Sequence, residues 1–402
     1  MSKMKNTVYR LGELCEVKSG KRIPKNMDYV TYETEHPYIR ARDIKDGKIN
    51  TDSLIYLEDV VFQKIKKYII NSGDIAITIV GASVGDTGYA SNKIDGYNLT
   101  ENAIRLTNYA GNVEPKFLHY ILSQKQYHDY MQLIAGAAAQ PKLGIYKVKR
   151  IKVGLPKIEN QRRIADILSA YDNLIENNNK QINLLEQMAE NLYREWFVRF
   201  RFPGYEDTEF EEKKPRGWQV GTDNKKNYVP TIFKYDEFRN IGSFIRGKNI
   251  TAANMIEGEI PVISAGIQPS GYHNEANIIG ASLTISASGA NAGYLQYHLN
   301  DIWAADCSYY QNEETIWFAY NTLKYLQPVI SNLQCGAAQP HVYPKNINRI
   351  YVLIPTMDLI KKYNEFVSPY YEEIRLLNKS NISLIKQRDY LLPRLMSGKL
   401  EV

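Results

Sequence analysis

The sequence lacks the features that mark secreted, membrane-spanning and metal-binding proteins. Only three cysteines occur among 402 residues, with no C-x-x-C pair and no histidine cluster, so neither a disulfide framework nor a zinc site is indicated. We expect these thiols to be free and buried. The N-terminal stretch has no apolar core of a secretory signal, and no apolar run approaches the ~20 residues of a membrane span. These absences predict a cytoplasmic protein.

Signatures of catalysis are also missing. None of the 16 prolines are adjacent, which argues against the Asn/Asp-Pro-Pro-aromatic signature of amino-methyltransferases. No Gly-x-Gly occurs, so the usual dinucleotide fingerprint is absent. The segment "GSFIRGKN" (242–249) approximates a Walker A loop, but Asn249 stands where Ser or Thr would hold Mg²⁺. The sequence therefore favours a binding protein over an enzyme.

Positive charge is concentrated in the first third of the chain. The whole sequence carries a net charge of +6. Residues 1–150 hold 22 Lys and Arg against 16 Asp and Glu, whereas residues 202–356 carry a net charge of −3. A basic first segment indicates a polyanionic partner. The acidic third segment means that charge alone does not establish nucleic acid as that partner.

One phrase of the sequence occurs twice. It stands as "GAAAQPKLGIYKVKRIKVGLP" at 136–156 and as "CGAAQPHVYPKNINRIYVLIP" at 335–355, an offset of 199 residues at both ends. In each copy small residues meet Gln-Pro, a basic strand-like segment follows, and a hydrophobic residue with Pro closes the phrase. The constant spacing predicts an internal duplication.

Glycine turns recur in the same order before each phrase. Gly20 and Gly247 are each followed by lysine, and the segments 73–90 and 281–297 both have the pattern of a strand, a Gly-rich turn and a second strand. The remaining interiors of the two copies differ widely. The sequence therefore predicts two related domains with divergent interiors.

A long helix is predicted after each copy. Apolar residues recur at spacings of three and four over 164–196 and again over 363–395, which is typical of a coiled-coil seam. Neither Pro nor Gly occurs within 157–202, so this helix can exceed forty residues, against a mean of about 11–12. Helices of this length overhang a single domain, which favours their pairing with each other. Asn178 and Asn381 are polar exceptions near the middle of the seams.

Polar residues around the repeated turns are the candidates for DNA contact, because such side chains bind phosphates and base edges. Each of them is at least as well explained, singly, as a solvated turn residue, but the set favours DNA. The candidates are Lys18, Ser19, Lys21, Arg22, Ser83, Gln140 and Lys142 in the first copy and Arg246, Lys248, Asn249, Ser288, Asn291, Gln339 and His341 in the second.

These segments together resemble the specificity subunit of Type I restriction-modification enzymes. The similarity rests on the repeated Gln-Pro phrase, on "IENQRRIADILSAYDNLIENNNKQINLLEQMAENLYREWF" (158–197) and on the closing "LLPRLMSGKLEV" (391–402), and it spans the whole chain. The segment "SASGANAGYLQYHLNDIWAADC" (286–307) is similar to one recurrent class of recognition domain. The resemblance therefore implies that residues 288–294 lie near bases.

The resemblance implies an α+β fold. Two globular mixed α/β target-recognition domains are separated by an antiparallel coiled coil of two long helices, with pseudo-two-fold symmetry. The expected divisions are target-recognition domain 1 (1–156), spacer helix 1 (157–202), a linker (203–235), target-recognition domain 2 (236–355) and spacer helix 2 (356–402).

The resemblance also implies the partners. A specificity subunit binds double-stranded DNA, catalyses nothing itself and holds no cofactor or metal. Two methyltransferase subunits carry S-adenosylmethionine and methylate adenine N6, and restriction subunits that use ATP and Mg²⁺ can join the complex. The protein is expected in a prokaryotic cytoplasm.

An antiparallel register follows if the two seam asparagines pair, since a buried Asn fixes register when it finds a polar partner. Setting Asn178 opposite Asn381 brings Trp196 to Tyr363 and Tyr171 to Arg388. The Arg388 guanidinium is then expected to stack on the Tyr171 ring.

Two other interpretations fit the sequence. A non-enzymatic coiled-coil adaptor would bind protein or RNA through its end domains, without salt-dependent DNA binding and without a methyltransferase partner. An orphan DNA-binding subunit of another phage-defence system would bind DNA without that partner.

Overall fold

The chain forms two compact units in the computed structural model. Unit 1 contains Met1–Ile175 with Ser383–Val402, and unit 2 contains Glu176–Ile382. The structure describes residues 6–136, 140–212, 228–335 and 340–400. The candidate Gln339 lies outside these residues. Each unit holds one copy of the repeated phrase and part of each long helix.

Short strands and helices precede the first long helix. The strands are β1 Thr7–Arg10, β2 Glu16–Ser19, β3 Pro37–Ile39, β4 Ile44–Lys45, β5 Lys48–Ile49, β6 Ile55–Tyr56, β7 Ile69–Ile70, β8 Ile75–Thr78, β9 Thr87–Tyr89, β10 Tyr97–Leu99, β11 Ala103–Thr107 and β12 Lys152–Leu155. The helices are α1 Leu11–Leu14, α2 Asp59–Ile65, α3 Pro115–Leu122, α4 Lys125–Ala135, α5 Ile145–Lys149 and the long α6 Ile158–Tyr193, which a π turn continues to Val198.

In the second half of the chain, strands and short helices likewise precede a long helix. Its strands are β13 Phe210–Glu212, β14 Tyr228–Pro230, β15 Lys234–Glu237, β16 Ile245–Arg246, β17 Ile260–Ile263, β18 Gly271–His273, β19 Ser282–Ser286, β20 Leu295–His298, β21 Trp303–Ala304, β22 Cys307–Tyr310 and β23 Tyr351–Ile354. Its helices are α7 Ile316–Tyr325, α8 Gln327–Ser331, α9 Pro344–Asn348 and the long α10 Met357–Met396.

Three sheets recur in both units, although the second of them has four strands in unit 1 and three in unit 2. In unit 1 an antiparallel sheet has the order β2-β11-β8-β9, and its counterpart in unit 2 is β16-β22-β19-β20. A second sheet contains one parallel pair in each unit, β3 with β10 and β17 with β21. A two-stranded antiparallel sheet, β1 with β12 and β15 with β23, joins the two ends of each copy. The internal duplication is therefore present in the fold.

The strand-like segment predicted inside each phrase is mostly helical. In the first copy α5 occupies Ile145–Lys149, and the strand begins only at Lys152. In the second copy Pro344 begins α9 at its first turn, where its missing N–H costs nothing. Val148 of α5 and Ile347 of α9 are buried. A short helix rather than an extended chain therefore covers the core here.

The cores explain why each long helix carries an apolar seam. In unit 1 the buried strand residues Ile75 and Ile77 share a cluster with Ile164 and Leu168 of α6 and with Leu395 of α10. The two helices therefore belong to the core that folds unit 1, as well as packing on each other. Such shared burial makes the helix pair and the domain a single stabilising unit.

Aromatic residues form the corresponding core in unit 2. Trp317 of α7 stacks on Tyr371 of α10, with ring centroids 3.5 Å apart and an interplanar angle of 6°. The amide Nδ2 of Asn321 donates hydrogen bonds to the hydroxyls of Tyr363 and Tyr371, 3.1 and 3.3 Å away. The aromatic residues of α7 thus fix this domain to the long helix.

The predicted antiparallel register is confirmed by contacts within unit 2. Asn178 Nδ2 donates to Asn381 Oδ1 at 2.9 Å, and Asn381 Nδ2 donates to Asn179 Oδ1 at 2.9 Å. The rings of Trp196 and Tyr363 meet with centroids 5.8 Å apart. Residue numbers thus rise along α6 as they fall along α10.

The predicted partner of Arg388 is wrong. Its Nη1 donates to Asp172 Oδ1 at 2.7 Å, and its Nη2 donates to Asp389 Oδ1 at 2.8 Å. The hydroxyl of Tyr120, on α3, donates to the other oxygen of Asp172. A neighbouring carboxylate is a stronger partner for a partly buried guanidinium than an aromatic face, so Arg388 pairs with the residue beside Tyr171.

Replacing the paired asparagines is expected to show strong coupling. Asn178→Leu or Asn381→Leu alone should lower the free energy of unfolding by about 1–3 kcal/mol, because a partner amide loses its hydrogen bond in the seam. The double leucine variant should recover most of this loss. All four tryptophans lie between residues 196 and 317, so denaturation followed by tryptophan fluorescence measures unit 2. Additive losses would contradict the pairing.

Burial of His119 predicts acid sensitivity of unit 1. Burial lowers the pKa of His119 to about 4, so the imidazole stays neutral in the fold while the unfolded chain binds a proton below about pH 6.5. The free energy of unfolding should therefore fall by up to ~3 kcal/mol between pH 6.5 and 4. Far-UV circular dichroism should show this loss.

His119→Gln should flatten that pH dependence for unit 1. Burial also lowers the pKa of His298, in unit 2, to about 4. The transition seen by tryptophan fluorescence should therefore keep its acid sensitivity in the His119→Gln variant. An unchanged pH profile of the circular-dichroism transition would exclude His119 as its source.

Candidate nucleic-acid interface

A six-residue turn has the same hydrogen bonds in both units. Gly85 N donates to Thr78 O at 3.0 Å, and Gly293 N donates to Ser286 O at 2.8 Å. The turns contain Gly81 and Gly289, which have φ values of 96° and 75°, a conformation that favours glycine. The two turns are therefore equivalent in structure as well as in sequence.

The equivalence of the turns places Ser83 and Asn291 at matching positions. The amide of Asp86 donates to Ser83 O at 3.0 Å, and that of Tyr294 donates to Asn291 O at 2.9 Å. Ser83 and Asn291 are both half-buried. Each unit thus presents one of the predicted polar residues at the same point of its turn.

The Gln-Pro phrase lies against this turn. Gly81 N donates to Pro141 O at 3.1 Å, and Gly289 N donates to Pro340 O at 3.0 Å. The following residues, Lys142 and His341, form isolated antiparallel bridges with Val80 and Ser288. The structure therefore brings Lys142 beside the turn in unit 1 and His341 beside it in unit 2.

In each unit another glycine, Gly20 or Gly247, brings the lysine that follows it against the end of a strand, β10 in unit 1 and β21 in unit 2. Lys21 N donates to Leu99 O at 2.8 Å, and Lys248 N donates to Ala304 O at 2.9 Å. A Cβ on Gly20 would lie 2.0 Å from Thr100 O, and one on Gly247 would lie 2.4 Å from Ala305 O. Only glycine permits this approach.

The two lysines that follow these glycines lie near aromatic rings. Lys21 Nζ is 5.6 Å from the ring centroid of Tyr68, and Lys248 Nζ is 5.8 Å from that of Trp303. Both lysines are exposed. A ring face attracts an ammonium group without neutralising its charge, so both lysines remain suited to a phosphate.

Sequence reasoning missed an acidic residue in each unit. Arg22 Nε donates to Glu101 Oε1 at 2.6 Å, and Arg246 Nη2 donates to Asp306 Oδ1. Ser288 Oγ donates to the other oxygen of Asp306 at 2.6 Å. Asp306 thus connects two predicted residues, Arg246 and Ser288. Comparing "TEN" (100–102) with "ADC" (305–307) across the copies would have revealed this pair of acids.

The environment keeps the Glu101 carboxylate ionised. Burial raises the pKa of Glu101, but hydrogen bonds from Arg22, from its own backbone and from Thr100 together outweigh burial, so the pKa lies below its usual value. An ionised carboxylate accepts stronger hydrogen bonds than a neutral acid. The Arg22–Glu101 pair therefore persists at neutral pH.

The side chains of the remaining candidates have no described contact with the glycine turn, the Gln-Pro phrase or the glycine-lysine segment, which together form the repeated cluster of each unit. Lys18 forms an ion pair with Glu16 at 2.8 Å on the exposed face of β2. Ser19, Gln140 and Asn249 are exposed. These four residues remain candidates by position alone.

The cysteine prediction was wrong for one residue. Cys15 and Cys307 are buried and free, but Cys335 is exposed. Within residues 6–136, 140–212, 228–335 and 340–400, no group of His, Cys, Asp and Glu could hold a metal ion. In the same ranges no helix has the length and hydropathy of a membrane span.

Comparisons with known proteins point to one family. The matching family model describes the Type I restriction modification DNA specificity domain and covers residues 3–187 and 232–386. The MjaIX specificity subunit of a Type I restriction enzyme from Methanocaldococcus jannaschii is 28% identical over 72% of this chain and 70% of its own length. The HindI specificity subunit from Haemophilus influenzae is 21% identical over 98% of this chain and 99% of its own.

A solved structure has the same fold. The crystal structure of a Type I restriction-modification system S subunit from M. genitalium aligns with a TM-score of 0.60 at 20% identity, covering 98% of this chain and 96% of that one. The family model matches once in each half of the sequence and covers most of its length. The chain therefore belongs to the family of Type I restriction-modification specificity subunits, which recognise DNA targets.

Proposed function

We propose that this chain recognises a split DNA target, one half-site for each repeated cluster. The observation that carries the proposal is the double occurrence of one arrangement: a glycine turn, the Gln-Pro phrase against it, and a glycine-lysine segment on the neighbouring strand edge. Phosphate contacts position a protein on the duplex and base-edge contacts specify the sequence. Each cluster offers both kinds of side chain.

In this proposal the exposed lysines bind phosphates. Lys21 and Lys142 serve the first half-site, and Lys248 serves the second. The turn residues Ser83 and Asn291 face base edges in this proposal. His341 takes the place of Lys142 in the second unit, with its ring stacked on Tyr343 at a centroid distance of 6.0 Å.

The paired helices set the number of base pairs between the half-sites and seat the partner subunits. Two half-sites about one helical turn (~34 Å) apart would lie on one face of the duplex, with roughly half a dozen base pairs between them. Two methyltransferase subunits supply S-adenosylmethionine and the adenine N6 chemistry, and restriction subunits supply the ATP- and Mg²⁺-dependent steps. The chain itself contributes recognition and no catalysis.

The dependence of DNA affinity on salt tests this proposal. The binding to DNA is measured for the full-length chain in complex with its methyltransferase subunits. The logarithm of this association constant should fall as the logarithm of the salt concentration rises, with a slope of about −0.9 per phosphate contact. Lys21→Ala and Lys142→Ala should each weaken binding to all sequences alike and make the slope shallower by about 0.9. Affinity that does not change with salt would favour the adaptor interpretation instead.

A further inference from the structure

In both units an arginine is held by a carboxylate at the same point of the fold. Glu101 follows Thr100, and Asp306 follows Ala305, and these two preceding residues make equivalent backbone hydrogen bonds. Thr100 N donates to Ile39 O at 3.0 Å, and Ala305 N donates to Ile263 O at 2.8 Å. The two acids are therefore structural counterparts.

Both oxygens of each carboxylate accept a hydrogen bond, from the same kinds of donor in the two units. One oxygen accepts from the arginine and the other accepts from a hydroxyl. In unit 1 Thr100 Oγ1 donates to Glu101 Oε2 at 3.0 Å, and in unit 2 Ser288 Oγ donates to Asp306 Oδ2 at 2.6 Å. Because both oxygens are engaged, the carboxylate is fixed and orients the guanidinium.

The two arginines come from different positions in the sequence. Arg22 lies two residues after Gly20, whereas Arg246 lies immediately before Gly247. Both glycines press their segments onto the backbone just before the acid. The arginine–carboxylate pair therefore occurs in both units, although the arginine follows the glycine in the first copy and precedes it in the second. Duplication of a single arginine position does not explain this.

Pairing with a carboxylate changes what an arginine can bind. The pair has no net charge, so its attraction to a phosphate is weak, and the carboxylate repels that phosphate directly. A guanidinium has five N–H donors in a fixed fork, and Glu101 engages Arg22 only through Nε. The remaining donors suit a neutral acceptor pair such as O6 and N7 of guanine.

Exposure of the two arginines fits a base contact. The Arg22 side chain is 79% exposed and that of Arg246 is 43% exposed, whereas the acids behind them are about 30% exposed. The guanidinium therefore projects outward from a fixed, partly covered carboxylate. This geometry differs from that of Lys21 and Lys248, which keep a full charge beside an aromatic ring.

We propose that Arg22 and Arg246 each recognise a guanine, one in each half-site, and that Glu101 and Asp306 are positioning residues for them. The inference rests on the proposed function, because it needs a duplex bound by both units. It adds a base identity, and the residue responsible, to each half of the target.

Selection from randomised duplexes tests the inference with the full-length chain and its methyltransferase subunits. The complex that contains the native chain, without substitutions, should select at least one fixed G·C pair in each half-site. Arg246→Ala and Arg246→Lys should reduce discrimination at one such pair of one half-site by about 10- to 100-fold and leave the other half-site intact. Arg22→Ala should do the same in the other half-site.

Variants of the acid separate positioning from charge. Asp306→Asn keeps a hydrogen-bond acceptor but leaves Arg246 with its full charge. Discrimination at the same G·C pair should fall, while the salt slope becomes steeper by about 0.9 because the unpaired guanidinium now attracts a phosphate. A merely structural role of Asp306 would not steepen the slope.

A change in the DNA gives a test without any change in the protein. Replacing the selected guanine by 7-deazaguanine removes the N7 acceptor and should weaken binding of the complex with the native chain about 10-fold, but leave the Arg246→Ala complex unaffected. The matched control is Arg239→Ala, whose partner Glu237 lies on the separate β15–β23 sheet. This variant should keep the selected sequence.

Three outcomes decide the matter. Absence of any selected sequence for the complex with the native chain overturns the proposed function. A bipartite selected sequence that survives unchanged in the Arg22 and Arg246 variants overturns the guanine assignment alone. A uniform loss of affinity with a shallower salt slope shows that the arginines contact phosphates, which also overturns the assignment.

Discussion

Replacing Gly20 by alanine is expected to lower the free energy of unfolding of unit 1 by about 3–5 kcal/mol, at the upper end of single substitutions. The new Cβ would lie 2.0 Å from Thr100 O and 2.4 Å from Leu99 O. Both are backbone atoms, one in the last residue of β10 and one in the residue after it, so no side-chain rotation can relieve the contact. The hydrogen bond from Lys21 N to Leu99 O must also break.

The two units can be followed separately in this experiment. Tryptophan occurs only between residues 196 and 317, so fluorescence excited at 295 nm measures unit 2, whereas far-UV circular dichroism measures both units. Gly20→Ala should shift a circular-dichroism transition and leave the fluorescence transition unchanged. Gly247→Ala, whose Cβ would meet Ala305 O at 2.4 Å, should shift the fluorescence transition.

Gly111→Ala is the matched control. A Cβ on Gly111 would meet no heavy atom within 4 Å, so its stability should change by less than about 0.5 kcal/mol. If Gly20→Ala were equally neutral, the close approach of the glycine-lysine segment to β10 would be excluded. DNA selection with Gly247→Ala should also lose one half-site, because Arg246 would no longer reach Asp306.

The sequence predicts much of this architecture because repetition and periodicity are visible without coordinates. The 199-residue offset of the Gln-Pro phrase indicates the duplication, and the heptad seams predict both long helices. The register of those helices is predictable because a buried amide needs a polar partner. Asn178 and Asn381 satisfy that need with each other.

The sequence does not predict which long side chains reach across the seam. A heptad pattern identifies the face of a helix, but Asp172 lies beside that face and still reaches Arg388. The same holds for Glu101 and Asp306, which approach the arginines only because glycines bring two distant segments together. Side-chain contacts of this kind depend on backbone approach, which periodicity does not encode.

The second recognition domain is joined closely to the segments that flank it. The predicted start of the second recognition domain, at residue 236, lies inside β15, which begins at Lys234 and pairs with β23. The core of this domain includes Tyr363 and Tyr371 of α10. The recognition domain and the spacer helices therefore share one core, and an exchange of domains must respect it.

Exchanging the second recognition domain is expected to change one half-site completely. The graft should run from Lys234 to Ile354, so that β15 and β23 are transferred together. Because each unit holds its own complete cluster, the half-site recognised by unit 1 should be retained. Sequencing of methylated adenines in host DNA should show a new half-site beside the old one, with the same number of base pairs between them.

The stability of such a graft depends on the aromatic contacts of α7. A donor domain without an aromatic residue at the position of Trp317 loses the 3.5 Å stack on Tyr371, and Trp317→Ala in the native chain should lower the free energy of unfolding by about 3–5 kcal/mol. Grafts that keep Trp317 and Asn321 from this chain should melt near the native temperature. If both half-sites changed together in a stable graft, recognition would not be divided between the two units.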